Sequence, residues 1–196
     1  MYIPEPFRED DHETLGALVD RYPFGALVSS RDGVPAASHV PFIYDRQTHT
    51  LLAHVARANP QWRDFSGDAK ALVIFQGPHA YISPSWYVDP GVPTWNYTAV
   101  HVYGAVRTLH DTASVADIVE RLTARFESTQ ERPWQPSYDE PLLREIVGIR
   151  IEIGRIEGKL KLSQNRSARD RAAVVAQLEA SGSDNDSALA SLMKHR

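Results

Sequence analysis

The amino-acid sequence predicts a mainly β fold with peripheral helices, in which the strands are antiparallel. Three observations carry this prediction. Six strand-like segments follow one another between residues 24 and 110, helical periodicity occurs only before and after them, and their connections are too short for crossover helices. A doubly wound parallel sheet needs a helix between successive strands. An antiparallel barrel with helices at its periphery is therefore the expected architecture.

The helices are predicted from apolar spacing and from capping residues. Residues 11–21 carry apolar side chains at helical spacing, and Asp10 with Glu13 forms a capping-box pattern before them. Asp139 and Ser167 are the expected N-caps of two later helices. Beyond the first helix, the expected helical segments are 115–128, 140–147 and 168–181.

The strands are predicted from β-branched and aromatic runs bounded by turn residues. Segments 24–30 and 34–44 flank an Asp32-Gly33 turn and are therefore expected to form a hairpin. The other strands are expected at 50–56, 71–76, 79–87, 96–110 and 149–153.

The length of 196 residues fits one domain with a short extension, since domains hold roughly 150 residues. The sequence SGSDNDS at residues 181–187 is typical of a flexible linker. Residues 1–180 are therefore expected to form the folded domain, and residues 181–196 a flexible C-terminal tail.

Composition excludes several classes of protein. With 21 Lys and Arg against 25 Asp and Glu, the net charge of −4 disfavours a nucleic-acid binder held by charge alone. The absence of cysteine excludes disulfides, thiolate metal sites and cysteine nucleophiles. No apolar run reaches the roughly 18 residues of a membrane span, and the N-terminus is acidic and polar, unlike a signal peptide. A cytoplasmic location is expected.

The segment HVARANPQW at residues 54–62 suggests an anion site. Asn59 and Pro60 have the character of the N-cap and first residue of a short helix that reaches about Gly67. Backbone N–H groups and the helix dipole favour an anion at such a start, and Arg57 could clamp a phosphate. A capped turn with a solvated arginine is the alternative, and the sequence leaves both open.

Two neighbouring segments, 76–87 and 92–97, combine large aromatic residues with short polar side chains and prolines. This combination suits a planar heteroaromatic ligand. The alternative is that the aromatic residues fill one end of the barrel or a dimer contact.

A basic stretch at residues 154–171 holds six Lys and Arg against two Asp and Glu. It could meet a phosphate, DNA or the acidic residues 1–20, or it could be solvated surface. The histidines are scattered without metal-ligand spacing, so no metal site is predicted. The sequence also has no nucleophile elbow, P-loop or dinucleotide fingerprint, and no catalytic residue can be assigned from it.

Several of these strings together resemble one family. SHVPF, HVARANPQW, FQGPHAYISPSWY, VPTWNY and KLKLSQNR resemble the PaiB-type FMN-binding negative transcriptional regulators, from Met1 to about Leu178. The resemblance implies an FMN-binding split β-barrel that is a homodimer, with flavins held between subunits.

The resemblance also implies where FMN lies. The third strand and the turn after it would hold the phosphate, the neighbouring strand would lie near the ribityl chain or ring edge, and residues 95–97 would approach from either subunit. Arg57→Ala is then expected to weaken FMN binding more than about tenfold with the fold intact. The implied FMN-binding residues are Ser38, His39, His54, Arg57, Asn59, Trp95, Asn96, Tyr97, Lys161, Ser163, Gln164, Asn165 and Arg166.

Three functions follow as hypotheses: a flavin-dependent repressor, an FMN-dependent oxidoreductase of the flavin-reductase or oxidase type, and a cofactor-free interaction barrel. A helix-turn-helix needs a turn of about 3–4 residues. The helices at 115–128 and 140–147 are separated by a longer loop with prolines. DNA binding would therefore have to use the basic face at residues 155–171 of a dimer.

Overall fold

An eight-stranded antiparallel sheet forms the framework in the computed structural model, which describes residues 1–195. The strands follow the order β3-β2-β6-β7-β8-β5-β4, and the short β1 pairs with β8. Their bounds are β1 Arg8–Glu9, β2 Phe24–Arg31, β3 Val34–Pro41, β4 Ile43–Asp45, β5 Thr50–Ala56, β6 Lys70–Ile82, β7 Thr94–Leu109 and β8 Ile146–Lys161. The predicted antiparallel fold with peripheral helices is confirmed.

Five α-helices accompany the sheet. They are α1 His12–Arg21, α2 Thr112–Glu127, α3 Glu140–Arg144, α4 Ala168–Ala180 and α5 Asp184–Lys194, with short 3-10 helices at Glu5–Phe7, Pro60–Asp64 and Pro84–Trp86. None of the helices within residues 1–195 has both the length and the apolar character needed to cross a bilayer.

The chain divides into two compact units. The terminal unit comprises Met1–Leu15, Gln76–Val100 and Glu157–Arg196, and the central unit comprises Gly16–Phe75 and His101–Ile156. The long strands β6, β7 and β8 each contribute residues to both units.

Local signals placed the hairpin and most caps correctly. β2 and β3 are joined by Asp32 and Gly33, whose φ angles are both positive, as a two-residue hairpin turn requires. Ser167 caps α4 by accepting the N–H of Asp170. The cap of α1 is different from the expected one, because Asp11 rather than Asp10 accepts the N–H of Thr14.

Two strands are longer than the sequence predicts. β6 passes through Gly77 and Pro78, where a break was expected. β8 extends far beyond 149–153 and includes Gly148, which was expected to end a helix. A Cβ at Gly148 would lie 3.0 Å from Ile118 Cδ1 and 3.1 Å from the Leu109 Cβ, so glycine lets this strand lie close beneath α2.

The C-terminal segment corrects the expectation of a flexible tail at residues 181–196. Ser183 caps α5 by accepting the N–H of Asp186. Leu189, Ala190 and Met193 of this helix are buried. These apolar residues recur at helical spacing and anchor α5 in the terminal unit. The polar residues before them made this helical pattern hard to recognise in the sequence.

In the central unit, α2 packs against the sheet. Ile118 and Leu122 of this helix form a buried cluster with Ile43 of β4 and Leu52 of β5. The opposite strand neighbour of β5 is β8, in the register Leu52↔Arg150 and His54↔Gly148. β8 pairs with β5 as far as Ala56, which fixes the start of the turn that follows β5.

Candidate functional site

The first candidate region is the corner, defined as residues 54–61, where β5 runs into the 3-10 helix Pro60–Asp64. Asn59 is the N-cap, as predicted: its Oδ1 accepts the N–H of Gln61 at 3.0 Å. Its Nδ2 donates to Ser38 Oγ at 2.8 Å. The structure therefore brings Ser38 and Asn59 together, although the helix ends at Asp64 rather than near Gly67.

The Arg57 side chain is directed at the protein's own backbone. Its Nε donates to the carbonyl of Arg144, its Nη2 donates to the carbonyl of Ile146 at 2.8 Å, and its Nη1 lies 3.4 Å from Nδ1 of His110. These contacts use three of the five guanidinium N–H groups and fix the junction between α3 and β8.

Backbone donors at the corner are also engaged. The N–H of Arg57 donates to the carbonyl of Glu145 at 2.7 Å, and that of Asn59 donates to the carbonyl of Ala56 at 2.9 Å. With the Gln61 N–H bound by Asn59, three donors that could have met an anion have protein partners. The corner therefore has the character of a capped, braced turn in this structure.

A cavity of about 420 Å³ lies beside the corner and is called the hairpin cavity. Gln61 in its wall is 4% exposed and donates through Nε2 to the carbonyl of Leu27 at 2.8 Å. Within residues 1–195, the buried Oε1 of Gln61 has no hydrogen-bond partner. The hairpin cavity is lined by Arg31, Asp32, Val34, Ala36, Ala37, Ser38, Asn59, Pro60, Gln61 and Asp64.

The charges of the hairpin cavity do not favour a phosphate. Arg31 pairs with Asp64 at 2.8 Å, and Asp32 adds a second negative charge. The uncharged Ser38 hydroxyl can instead hydrogen-bond a neutral ligand edge.

The two predicted histidines of this unit differ in their surroundings. His39 is exposed on β3, and its ring stacks on Phe24 with centroids 6.2 Å apart. Because neighbouring residues of a strand face opposite ways, His39 does not share the face of Ser38. Burial lowers the pKa of His54, and within residues 1–195 its buried Nδ1 has no hydrogen-bond partner.

The second candidate region lies in the terminal unit and is called the cationic cavity. Its volume is about 420 Å³, within the usual range of ligand pockets. Lys161 and Arg166 line it, and none of its lining residues within 1–195 is acidic. The full lining is Phe7, Tyr87, Pro90, Gly91, Val92, Thr94, Asn96, Lys161, Ser163, Asn165 and Arg166.

Lys161 stands at the end of β8. Its ammonium donates to Thr94 Oγ1 and to the carbonyl of Trp95 at 2.6 Å, which leaves one N–H for a ligand. Burial, with a smaller contribution from Lys159, lowers the pKa of Lys161.

Arg166 packs on an aromatic ring. Its guanidinium carbon is 3.9 Å from the ring centroid of Tyr87, and its Nη1 donates to the carbonyl of Pro90 at 3.3 Å. Nη1 is also 3.8 Å from a carboxylate oxygen of Asp170. Within residues 1–195 the bond to the Pro90 carbonyl is the single hydrogen bond of the guanidinium, so most of its N–H donors remain available.

A polar pair lies behind these cations. Asn96 is fully buried and donates from Nδ2 to Ser163 Oγ at 2.9 Å. Ser163 has a φ of +63°, a left-handed conformation that turns the chain out of β8. Gln164 binds the backbone at the end of β8 through Leu160 and Leu162.

Trp95 and Tyr97 alternate with Asn96 along β7 and therefore face away from it. Trp95 is 54% exposed, and its ring lies 6.4 Å from His79 and 6.1 Å from Tyr81. The predicted aromatic grouping exists, but Trp95 and Tyr97 do not line the cationic cavity.

Sequence reasoning missed two contributors to this cavity. Gly91 forms part of its wall beside Tyr87, which lies in the predicted aromatic segment 76–87, and Asp170 holds that wall from α4. The available sequence signal was Gly91, a glycine among the prolines of residues 84–93. Its role could not be inferred from the sequence, because it depends on the position of Arg166, which is distant along the chain. Within residues 1–195, no three metal-ligating side chains cluster closely enough to hold a metal ion.

The fold is of the split-barrel type, as the sequence resemblance implied. The flavocytochrome Anf3 of Azotobacter vinelandii superposes with a TM-score of 0.67 at 14% identity, over 85% of this chain and 75% of that chain. The FAD and heme binding protein of Mycobacterium smegmatis gives a TM-score of 0.65 at 20% identity, over 85% and 78%. At these identities the likeness establishes the fold alone.

The chain belongs to the family described as "Putative FMN-binding domain", whose sequence pattern matches residues 1–155. It is 37% identical to the protease synthase and sporulation protein PAI 2 of Bacillus subtilis, over 100% of this chain and 98% of that protein. It is also 29% identical to the uncharacterized protein AN0679 of Emericella nidulans, over 100% and 97%. The resemblance to the PaiB-type family is confirmed, and FMN is the cofactor.

The residues present fit FMN. A flavin mononucleotide combines a phosphate of nearly two negative charges with a flat ring that has a hydrogen-bonding edge. The cationic cavity supplies two cations, and none of its lining residues within 1–195 is acidic. Cations with unused N–H donors are typical of a protein that completes its hydrogen bonds with a ligand.

Proposed function

We propose that this protein is a homodimeric, FMN-binding regulator that holds the flavin phosphate with Lys161 and Arg166. The observation that carries the proposal is the cationic cavity, whose lining holds two cations with spare donors and no acid. Each hydrogen bond from a charged group to a phosphate contributes about 1.5–3 kcal/mol. Two such groups therefore favour FMN over riboflavin by at least about 100-fold.

The other residues that the sequence implicates have roles within their own units. In the central unit, Asn59 presents the Ser38 hydroxyl, and Arg57 keeps the junction of α3 and β8 in position. In the terminal unit, Asn96 and Ser163 brace each other behind Lys161, and Asn165 lies at the exposed rim. Bound FMN supplies the redox chemistry, while these residues bind and orient it.

Titration separates the phosphate contact from the ring contacts. The dissociation constants of FMN and riboflavin are measured by fluorescence for the wild type and for Lys161→Ala, Arg166→Ala and Arg57→Ala. Each of the first two should lower the preference for FMN by about tenfold, whereas Arg57→Ala should leave it within about threefold.

Lys194→Ala is the matched control, because it removes an exposed cation of the same unit that pairs with Glu179. If Arg57→Ala alone loses the preference for FMN, the phosphate binds at the corner, and its placement on Lys161 and Arg166 is contradicted.

Strand β3 supports the homodimer. It lies at the end of the strand order, and none of its eight residues is buried. Val34 is 68% exposed at its start. An unprotected edge strand with apolar side chains favours association, and a two-fold dimer covers the same patch on both copies.

The dimer is tested by sedimentation velocity. Val34→Glu should convert the protein to monomers. Leu142→Glu is the matched control, since Leu142 of α3 is 61% exposed but lies outside β3. An unchanged dimer in Val34→Glu would remove β3 from the interface.

The regulatory role draws support from the Bacillus subtilis relative, which is named a protease synthase and sporulation protein. A helix-turn-helix needs a short turn between its helices. The connection between α2 and α3 is too long for that, as predicted, whereas α4 and α5 are joined by residues 181–183 alone. The first turn of α5 carries Asp184 and Asp186, which oppose DNA phosphates.

Two cations of the basic stretch contact other parts of the protein. Arg155 packs over Tyr103 at 4.0 Å, and Lys159 donates to the carbonyl of Tyr2 at 3.1 Å. A mobility-shift assay with promoter fragments tests direct repression by the FMN-loaded protein. A lack of sequence-specific binding would exclude direct repression and leave an indirect regulatory role.

An FMN-dependent oxidoreductase is the second candidate function, and Lys161 favours it. A half-buried lysine with a lowered pKa in a ligand cavity is a candidate proton donor. Steady-state oxidation of NADH or NADPH above the rate of free FMN, measured at saturating FMN and reduced in Lys161→Met but not in Arg166→Ala, would support it. Equal rates with and without the protein would exclude it for these donors.

A further inference from the structure

One wall of the cationic cavity is fastened to α4 by a buried carboxylate. Asp170 is 1% exposed. Its Oδ1 accepts the N–H of Val88 at 2.8 Å and that of Asp89 at 3.1 Å. The residues on either side of this pair, Tyr87 and Pro90, line the cavity. Asp170 therefore holds the wall in place without lining the cavity itself.

The same wall holds the guanidinium of Arg166. Tyr87 supplies the ring beneath it, and the carbonyl of Pro90 accepts one of its N–H groups. The second oxygen of Asp170 lies 3.8 Å from Nη1, too far for a hydrogen bond but close enough to attract the cation. The direction of Arg166 thus depends on where Asp170 holds the loop.

Gly91 gives the guanidinium its space. A Cβ at this residue would lie 1.8 Å from Arg166 Nη2 and 2.4 Å from Tyr87 Cδ2. Since real side chains do not approach so closely, any other residue would force Arg166 away from this position.

We propose that Asp170 and Gly91 are positioning residues that fix Arg166 in the direction in which it receives the FMN phosphate. This inference rests on the proposed phosphate placement. Because the loop and the cation are ordered before the ligand arrives, binding loses less conformational entropy than it would with a mobile arginine. Neither residue touches the phosphate.

Two substitutions of Asp170 separate positioning from charge. Asp170→Asn keeps an oxygen that can accept both loop N–H groups, whereas Asp170→Ala removes it. In FMN-free protein, amide hydrogen exchange at Val88 and Asp89 should quicken by at least about tenfold in Asp170→Ala and stay within about threefold in Asp170→Asn. The preference for FMN over riboflavin should fall by about fivefold or more in Asp170→Ala and be retained in Asp170→Asn.

Gly91→Ala tests the same proposal without touching the carboxylate. The FMN preference should fall by about fivefold or more, while riboflavin affinity stays within about threefold. Gly154→Ala is the matched control, because a Cβ there meets its nearest atom at an ordinary 3.7 Å. If Asp170→Ala fails to fold, Gly91→Ala and Asp170→Asn still decide the question.

Arg166→Ala in the same titration distinguishes the two proposals. If Arg166→Ala lowers the FMN preference while Asp170→Ala and Gly91→Ala leave it unchanged, the positioning role is overturned and the phosphate placement stands. If Arg166→Ala has no effect, both are overturned. Loss of preference in Asp170→Asn with slow exchange retained would show that charge, rather than position, is what Asp170 supplies.

Discussion

The corner and the cationic cavity both contain an arginine that sequence reasoning assigned to FMN, but the two arginines are used differently. Arg57 spends three of its five N–H groups on the protein, two of them on the carbonyls of Arg144 and Ile146. Arg166 makes one hydrogen bond within residues 1–195 and lies flat on Tyr87. Arg57 therefore braces the fold, whereas most N–H groups of Arg166 have no acceptor within residues 1–195, and only the positions of their acceptors distinguish the two arginines.

The largest expected effect removes both cations of the cavity. Lys161→Ala combined with Arg166→Ala should abolish the preference for FMN over riboflavin, a loss of about 100-fold or more, because no charged donor remains in the lining. Riboflavin affinity should stay within about threefold of the wild type. Fluorescence titration with both flavins measures this loss. A retained preference for FMN would show that the phosphate binds outside the cationic cavity and would favour the corner.

The second effect concerns stability rather than binding. Arg57→Ala should lower the free energy of unfolding by about 2 kcal/mol, because two backbone carbonyls lose a charged donor. This departs from the sequence-based expectation of an intact fold. Urea denaturation measures the change.

Arg107→Ala is the control for Arg57, since its pair with Glu152 is exposed and should contribute less than about 0.5 kcal/mol. Equal stability losses in the two variants would show that Arg57 has no bracing role.

A smaller effect is expected at the cap of the corner. Asn59→Ala should cost about 1 kcal/mol of stability, since the N–H of Gln61 loses its acceptor. Asp139→Ala is a matched comparison, because Asp139 is an N-cap whose side chain makes no capping hydrogen bond. If the two substitutions cost the same in thermal denaturation, the Asn59 cap is not what stabilises the corner.

The smallest effect is a dependence on pH. Burial lowers the pKa of His54 below 6.5, so the unfolded chain takes up its proton at a higher pH than the folded protein does. The unfolded state then binds more protons near pH 6, and the free energy of unfolding falls as the pH drops from about 7.5 to about 5.

His54→Phe should flatten this slope. Unfolding free energies at several pH values measure the change, and an unchanged slope in His54→Phe would contradict the burial of that histidine.

Short-range features were predictable from the sequence. The Asp32-Gly33 turn, the Asn59 cap and the Ser167 cap each depend on residues within a few positions of one another. The family resemblance also led to Lys161 and Arg166, because they lie in one continuous motif.

Features fixed by distant partners were not predictable. β8 continues through Gly148 because it pairs with β5, nearly a hundred residues earlier. The direction of Arg57 depends on a carbonyl 87 residues away, and the role of Gly91 depends on where Arg166 lies. The helix α5 was concealed by the polar residues that precede Leu189.

A crystal structure of the FMN-loaded protein tests whether the cationic cavity holds the phosphate. We expect phosphate oxygens within hydrogen-bond distance of Lys161 Nζ and the Arg166 guanidinium, with Arg57 still bound to the carbonyls of Arg144 and Ile146. A phosphate seated on Arg57 and Asn59, with the cationic cavity empty of flavin, would contradict it.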